Sequence, residues 1–289
     1  MRIDVHTHIF PPRVVRNRHE HFEGEGAFEL LYGSGRARLA TAEDLLRAMD
    51  EDQVHMAVVS GFPWKSADRA SRHNDHILES CSRHPHRLIP LSCVDPLSPH
   101  AMKEAERCLG AGARGLGEIA IYEPCPLTEG IHFMEGLVEL CRNTASVLLV
   151  HANEPVGHLY PGKAPMGLPF FYELARMSAG IPLILAHWGG GLGFYETLKR
   201  EAVETLAHVH YDTAASPYLY DPRIYSIMNQ IVGPEKILLG TDFPLLSFSR
   251  YDEEMKRAGL SDVHLKAIQG MNAARIFNIQ GGLHASQLC

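Results

Sequence analysis

A chain of 289 residues with 45% hydrophobic and 21% charged side chains has the balance of an ordinary globular protein and is long enough for one large α/β domain. Its formal net charge of −7 argues against nucleic acid as the main partner, because phosphate binding needs a basic surface. No run approaches the roughly 18 uninterrupted apolar residues of a membrane span, and Asp4 and the histidines after it occupy the place of a signal peptide's apolar region, so a cytoplasmic protein is expected.

The first predicted element is a strand over 2–8 that ends in His6-Thr7-His8. Residues i and i+2 of a strand point the same way, so both imidazoles would leave its carboxyl end together, as two ligands of one metal would. With 18 histidines in the chain, the pair alone is a weak signal. After an irregular stretch, 9–40, Thr41-Ala42-Glu43-Asp44 opens a helix like a capping box, with Leu45, Leu46 and Met49 on one face. A strand over 54–60 leads into Phe62-Pro63-Trp64, which suits either a pocket wall or barrel packing.

A helix over 68–83 and a strand over 87–94 follow, and Ser98-Pro99 opens a helix with Met102, Ala105 and Leu109 spaced for burial. The strand over 114–119 ends at Glu118, that over 146–151 at His151, that over 181–187 at His187 and that over 236–242 at Asp242; another covers 208–212. Helices fit 130–143, 168–178, 194–206, 221–232 and 250–258, and a second irregular stretch covers 152–167. The tail, 261–280, places Leu265, Ile268, Met271 and Ala274 at helical spacing, as further helix against the outside.

Most of these strands are near-continuous apolar runs, as parallel strands buried on both faces are. Eight strands alternating with helices predict an α/β fold, a (β/α)8 TIM barrel, as one domain over 1–289. A doubly wound open sheet is the runner-up, but its glycine-rich phosphate loop is missing. The two irregular stretches each follow a strand ending in histidine, and long loops of this kind are often functional. The six cysteines, Cys81, Cys93, Cys108, Cys125, Cys141 and Cys289, form no CxxC pair and read as reduced thiols.

In a barrel the carboxyl ends of the strands converge on one mouth. His6, His8, Glu118, His151, His187 and Asp242 would meet there, and nitrogen and oxygen donors of this kind hold zinc or a similar divalent ion. Each has a plainer reading alone: a hydrogen-bonded core histidine, a helix-capping glutamate, an aspartate starting a turn. Six together at strand ends favour the metal site.

This order of HxH, Glu, His, His and Asp resembles the amidohydrolase superfamily of metal-dependent barrels. Val150-His151-Ala152-Asn153-Glu154-Pro155, Ala186-His187-Trp188-Gly189-Gly190-Gly191 and Leu239-Gly240-Thr241-Asp242-Phe243-Pro244 look most like its amidohydrolase-2 branch. That branch includes aminocarboxymuconate semialdehyde and resorcylate decarboxylases alongside lactonases and hydrolases. The resemblance runs from His6 through Asn272-Ala273-Ala274-Arg275-Ile276-Phe277; its motifs are specific for the superfamily and weak for the substrate. Gly117-Glu118-Ile119 is similar to the Gly-Glu-Ile of TatD-type hydrolases, whose glutamate can bridge two metals. Decarboxylase members typically bind a single metal without an acidic ligand after the fourth strand.

The resemblance implies one ion held by His6, His8, Glu118 and Asp242 and a second by Glu118, His151 and His187, with zinc as the expected metal. Asp242 would act as general base toward a metal-activated water and then protonate the leaving group; with one metal, His187 would be free for acid–base or electrostatic work. The expected activity is hydrolysis of a small-molecule ester, lactone, amide or phosphoester. The alternative is non-oxidative decarboxylation of an unsaturated or aromatic acid. A TatD-like nuclease is disfavoured by the acidic balance, and a barrel without turnover by the complete ligand set. Trp188, His158, Tyr160, Lys163 and Trp64 are the expected substrate contacts, with His158 and Lys163 suited to an anionic group. Cys125 has no partner base that would make it a nucleophile, and the oligomeric state stays open, a homo-oligomer being compatible.

Overall fold

The computed structural model describes residues 1–279; Gln280, the last residue of the predicted tail, and Cys289 lie outside the described residues. The eight predicted strands are all present, most of them shorter than expected. They are β1 Ile3–His8, β2 Met56–Ser60, β3 Leu88–Pro90, β4 Gly115–Ile119, β5 Val147–Val150, β6 Leu183–Leu185, β7 Val209–Asp212 and β8 Ile237–Leu238. Each pairs in parallel with its successor within two arcs, β1-β2-β3 and β4-β5-β6-β7-β8. The arcs close on one another through bridges between Thr7 and Phe243 and between Ser92 and Leu116. Val5 N donates to Leu239 O at 2.8 Å and Gly117 N to Ser92 O at 2.9 Å across these seams. Closure removes exposed sheet edges, and the helices between strands cover the outer face, giving a (β/α)8 barrel.

The apolar strand residues divide between two faces. Ile3, Val5, Val58, Ile89, Leu91, Leu149, Ile184 and Leu238 fill the barrel interior, while Val59, Leu148, Leu185 and Tyr211 meet the surrounding helices. Register breaks between Asp4 and Thr7 on β1 and between Leu116 and Ile119 on β4, at the turns of strand that carry His6 and Glu118. Irregularities of this kind re-aim side chains beside functional sites. The capping box at Thr41 forms: Asp44 N donates to Thr41 Oγ1 at 3.2 Å and Thr41 N to Asp44 Oδ2 at 3.0 Å.

Three segments differ from expectation. The stretch 9–40 folds into short helices, Pro12–Arg16, Arg18–His21 and Gly26–Tyr32, because Phe10 and Phe28 bury against Phe62 and Trp64. The helix expected over 194–206 forms only at Arg200–Thr205. Before it, His187–Thr197 is a 3₁₀ segment in which Trp188, Gly189, Gly190 and Gly191 are left-handed. The tail packs on the outside only in part, through Leu265 and Ile268. Leu239 N donates to Ile268 O, Asn272 Nδ2 donates to Ile237 O, and Ala273 and Phe277 join the interior cluster, so the tail plugs the base of the barrel. Among the described residues, no helix is long and apolar enough to cross a membrane.

Candidate metal centre

The structure brings His6, His8, Glu118, His151, His187 and Asp242 together at the carboxyl ends of the strands. Glu118 stands at the middle. Its Oε2 lies 3.4 Å from His6 Nε2 and 3.5 Å from His8 Nε2, while its Oε1 lies 2.9 Å from His151 Nδ1 and 3.6 Å from His187 Nε2. Asp242 Oδ1 approaches His8 Nε2 at 3.4 Å and His6 Nε2 at 3.7 Å. Two donor groups therefore share one carboxylate: His6, His8 and Glu118, and Glu118, His151 and His187.

Hydrogen bonding fixes which nitrogens face the centre. His6 Nδ1 is 2.8 Å from Asp212 Oδ2, His8 Nδ1 is 3.2 Å from Gly61 O, and His187 Nδ1 is 3.0 Å from Ala214 O. These oxygens only accept, so each Nδ1 carries the hydrogen and each neutral ring turns an Nε2 lone pair inward. His6 Nε2 and His8 Nε2 face one another at 3.1 Å, with the Glu118 and Asp242 oxygens beside them. A cage of acceptors this close needs positive charge within it, from protons or from a metal ion.

With protons alone, the histidines must take the charge. Burial opposes it, yet Glu118 and Asp212 hold His6 well above its ordinary range. Burial likewise opposes charge on His8, while Asp242 and Glu118 push it up to about 9. In return, and against burial, His6 and His151 keep Glu118 well below the carboxylate range, and His8 and His6 bring Asp242 down to about 2. A divalent cation fits the same place: the donors are nitrogen and oxygen, three rings are oriented by outer partners, and His151 Nε2 is buried with no partner among the described residues.

Asp212, which sequence reasoning passed over, organises much of this. It is fully buried at the end of β7; Oδ2 accepts from His6 Nδ1, and Oδ1 accepts from the backbone N–H of His187 and of Ala214, each at 2.9 Å. Its signal was available, because it closes the predicted strand 208–212 as the other six residues close theirs. His187 and Asp242 are themselves left-handed, with φ of 55° and 59°. A non-glycine residue held so costs on the order of 1–3 kcal/mol and is typical of functional sites. Gly190 makes the His187 turn feasible: it has φ +61°, and a Cβ there would sit 2.3 Å from Asn153 O.

The expected substrate contacts scatter. Trp188 is fully buried, donating its indole N–H to Ser216 Oγ and packing edge-on against Tyr225. Trp64 is buried too and donates to His73 Nδ1. Lys163 Nζ pairs with Glu154 Oε1 at 3.0 Å, Tyr160 donates to Glu154 Oε2, and His158 is exposed.

Several solved structures share this architecture. A 5-carboxyvanillate decarboxylase from Sphingomonas paucimobilis aligns with a TM-score of 0.73 at 18% identity, covering 96% of this chain and 98% of that one. A dihydroxybenzoic acid decarboxylase from Polaromonas, with bound manganese and the inhibitor 2-nitroresorcinol, gives 0.73 at 18% identity, covering 96% of each chain. A probable 2-pyrone-4,6-dicarboxylic acid hydrolase from Acinetobacter baumannii with citric acid bound gives 0.59 at 13% identity, covering 96% of this chain and 99% of that one. Among curated proteins no sequence matches. The model of the amidohydrolase family matches residues 3–279, nearly the whole chain, and the protein belongs to that family.

Proposed function

We propose that this protein is a metal-dependent enzyme that decarboxylates a small unsaturated or aromatic carboxylic acid without oxidation. The observation that carries the reading is the alignment, over nearly the full length of both chains, with aromatic-acid decarboxylases at a TM-score of 0.73, against 0.59 for the hydrolase. It displaces hydrolysis, the activity first expected, to second place. His6, His8, His187 and Asp242 would hold a divalent ion, with Glu118 and His151 beside them; manganese and zinc are the first ions to try. Bound there, the ion supplies positive charge that orients substrate oxygens and stabilises negative charge developing in the reaction.

The chain's own residues do the rest. Asp212, Gly61 and Ala214 hold the rings in one tautomer. Asp242 has the most exposed side chain of the cluster measured against His6, His8, Glu118, His151 and His187, at 22%, and so faces an incoming substrate. When the carboxylate leaves as carbon dioxide, its bonding pair stays on carbon and a proton must be delivered there; Asp242, ionised in the resting fold, would first take that proton from water or a substrate hydroxyl and then hand it to carbon. The barrel over 3–279 is proposed to act as one domain on a small molecule.

Hydrolysis is supported by a different observation, the position of Glu118 between two donor groups. In that reading Asp242 takes a proton from water. Metal analysis with parallel assays separates the two: about one ion per chain with carbon dioxide released from hydroxybenzoates supports decarboxylation, whereas about two ions with cleavage of esters or lactones supports hydrolysis.

A further inference from the structure

Two phenols at the mouth of the barrel are unused by the chemistry above. Tyr32 ends the helix Gly26–Tyr32, and Tyr122 lies just beyond β4. Phe62 packs between them, edge-on to Tyr32 at 5.9 Å and stacked on Tyr122 at 6.3 Å with 12° between the planes. The Tyr122 ring lies 6.1 Å from that of His151. Both tyrosines are half-buried, and among the described residues neither hydroxyl is bonded to another protein group, which leaves both open to a ligand.

Burial raises both phenols, and the Asp242 and Glu118 carboxylates raise them further, so they remain protonated donors. Of the neighbouring cations, Lys163 pairs with Glu154 and Lys65 with Glu123, while Arg18 donates to the carbonyls of Tyr32 and Ala37 and keeps its charge beside Tyr32. An acceptor on a bound ligand would therefore meet two uncharged hydroxyls that can donate to it.

We propose that Tyr32 and Tyr122 are substrate anchors, whose hydroxyls donate hydrogen bonds to a hydroxyl or oxo substituent of an organic acid bound at the donor cluster, with Phe62 fixing their spacing. This rests on reading the cluster as a site for small acids. It favours hydroxylated acids over unsubstituted ones, because a ring without a hydroxyl or oxo group gives the two phenols nothing to donate to.

The test is calorimetric titration of the protein as purified, with its metal, using 2,6-dihydroxybenzoate and benzoate. The dihydroxy acid should bind about tenfold more tightly than benzoate, the effect of one or two good hydrogen bonds. Tyr32→Phe and Tyr122→Phe, which keep the ring packing, should each weaken it about three- to tenfold while leaving benzoate within about twofold. Anchoring is overturned if both variants keep the wild-type preference, or if neither acid binds. Carbon dioxide release is scored separately. Preference without turnover leaves the anchors standing and removes decarboxylation; turnover with preference unchanged in the variants removes the anchors alone.

Discussion

Asp212 engages one buried carboxylate with three partners, two of them on the segments that carry His6 and His187. In Asp212→Asn an amide of the same shape cannot accept at every contact. If its NH₂ faces His6, that ring must move its hydrogen to Nε2 and lose the inward lone pair. Metal affinity should then fall about 10- to 100-fold, the usual effect of removing such an outer partner. Competition against a calibrated chelator reads this directly, and an unchanged constant would remove Asp212 from the site. Asp242→Asn removes a group that both holds the ion and faces the opening: turnover should vanish, metal affinity should fall, and the melting temperature should drop as the contribution of the ionised carboxylate is lost. Retained activity would sink the role given to Asp242.

The glycine run after His187 shows how one element sets a ligand. Gly190→Ala places a methyl against Asn153 O and forces a left-handed alanine, so it should cost about 1–3 kcal/mol in denaturant unfolding and weaken metal binding as His187 shifts. Gly180→Ala is the control: it shares a positive φ of 90°, but its added Cβ meets nothing within 4 Å, so it should lose stability without losing metal. Equal metal affinity in both variants would show that the turn does not position His187. Elements of this kind mark the limit of reading from sequence. Strand-ending residues such as His151 were legible because apolar runs and period-two geometry are local. The left-handed turn that folds Trp188 inward, the aromatic cluster that orders 9–40 and the tail that plugs the barrel base all depend on partners distant in sequence. Asp212 was legible by position, yet nothing local distinguishes an aspartate that holds a ligand from one that starts a turn. Tyr32 carried no signal, because Phe62 brings it beside the loop after β4 only in the folded chain.

At the scale of the molecule, the donor cage joins the two arcs of the barrel. His6 and His8 come from the three-stranded arc, and Glu118, His151, His187 and Asp242 from the five-stranded one or the turns that follow its strands. Positive charge in the cage therefore helps hold the barrel shut, and the metal-free protein must supply it with protons. His8 is raised from 6.5 to about 9 in the fold, so its stabilisation is fully present below pH 6.5 and is lost as pH rises through about 9. Asp242 is lowered from 3.8 to about 2, so its contribution is present above pH 3.8 and is lost only as pH falls through about 2. Between pH 6.5 and 9 the chelated protein should thus melt at progressively lower temperature. The metal-loaded protein should not follow it, because the ion replaces those protons and binds more tightly as they leave. An ion present at about 100 times its dissociation constant adds about 2.7 kcal/mol, enough to separate the two melting curves clearly. Calorimetry with and without chelator at pH 6.5 and pH 9 measures the gap, which should be wider at the higher pH. A gap that is constant or narrows would mean that the cage histidines are not charged in the metal-free fold, and that the two arcs are held together without them.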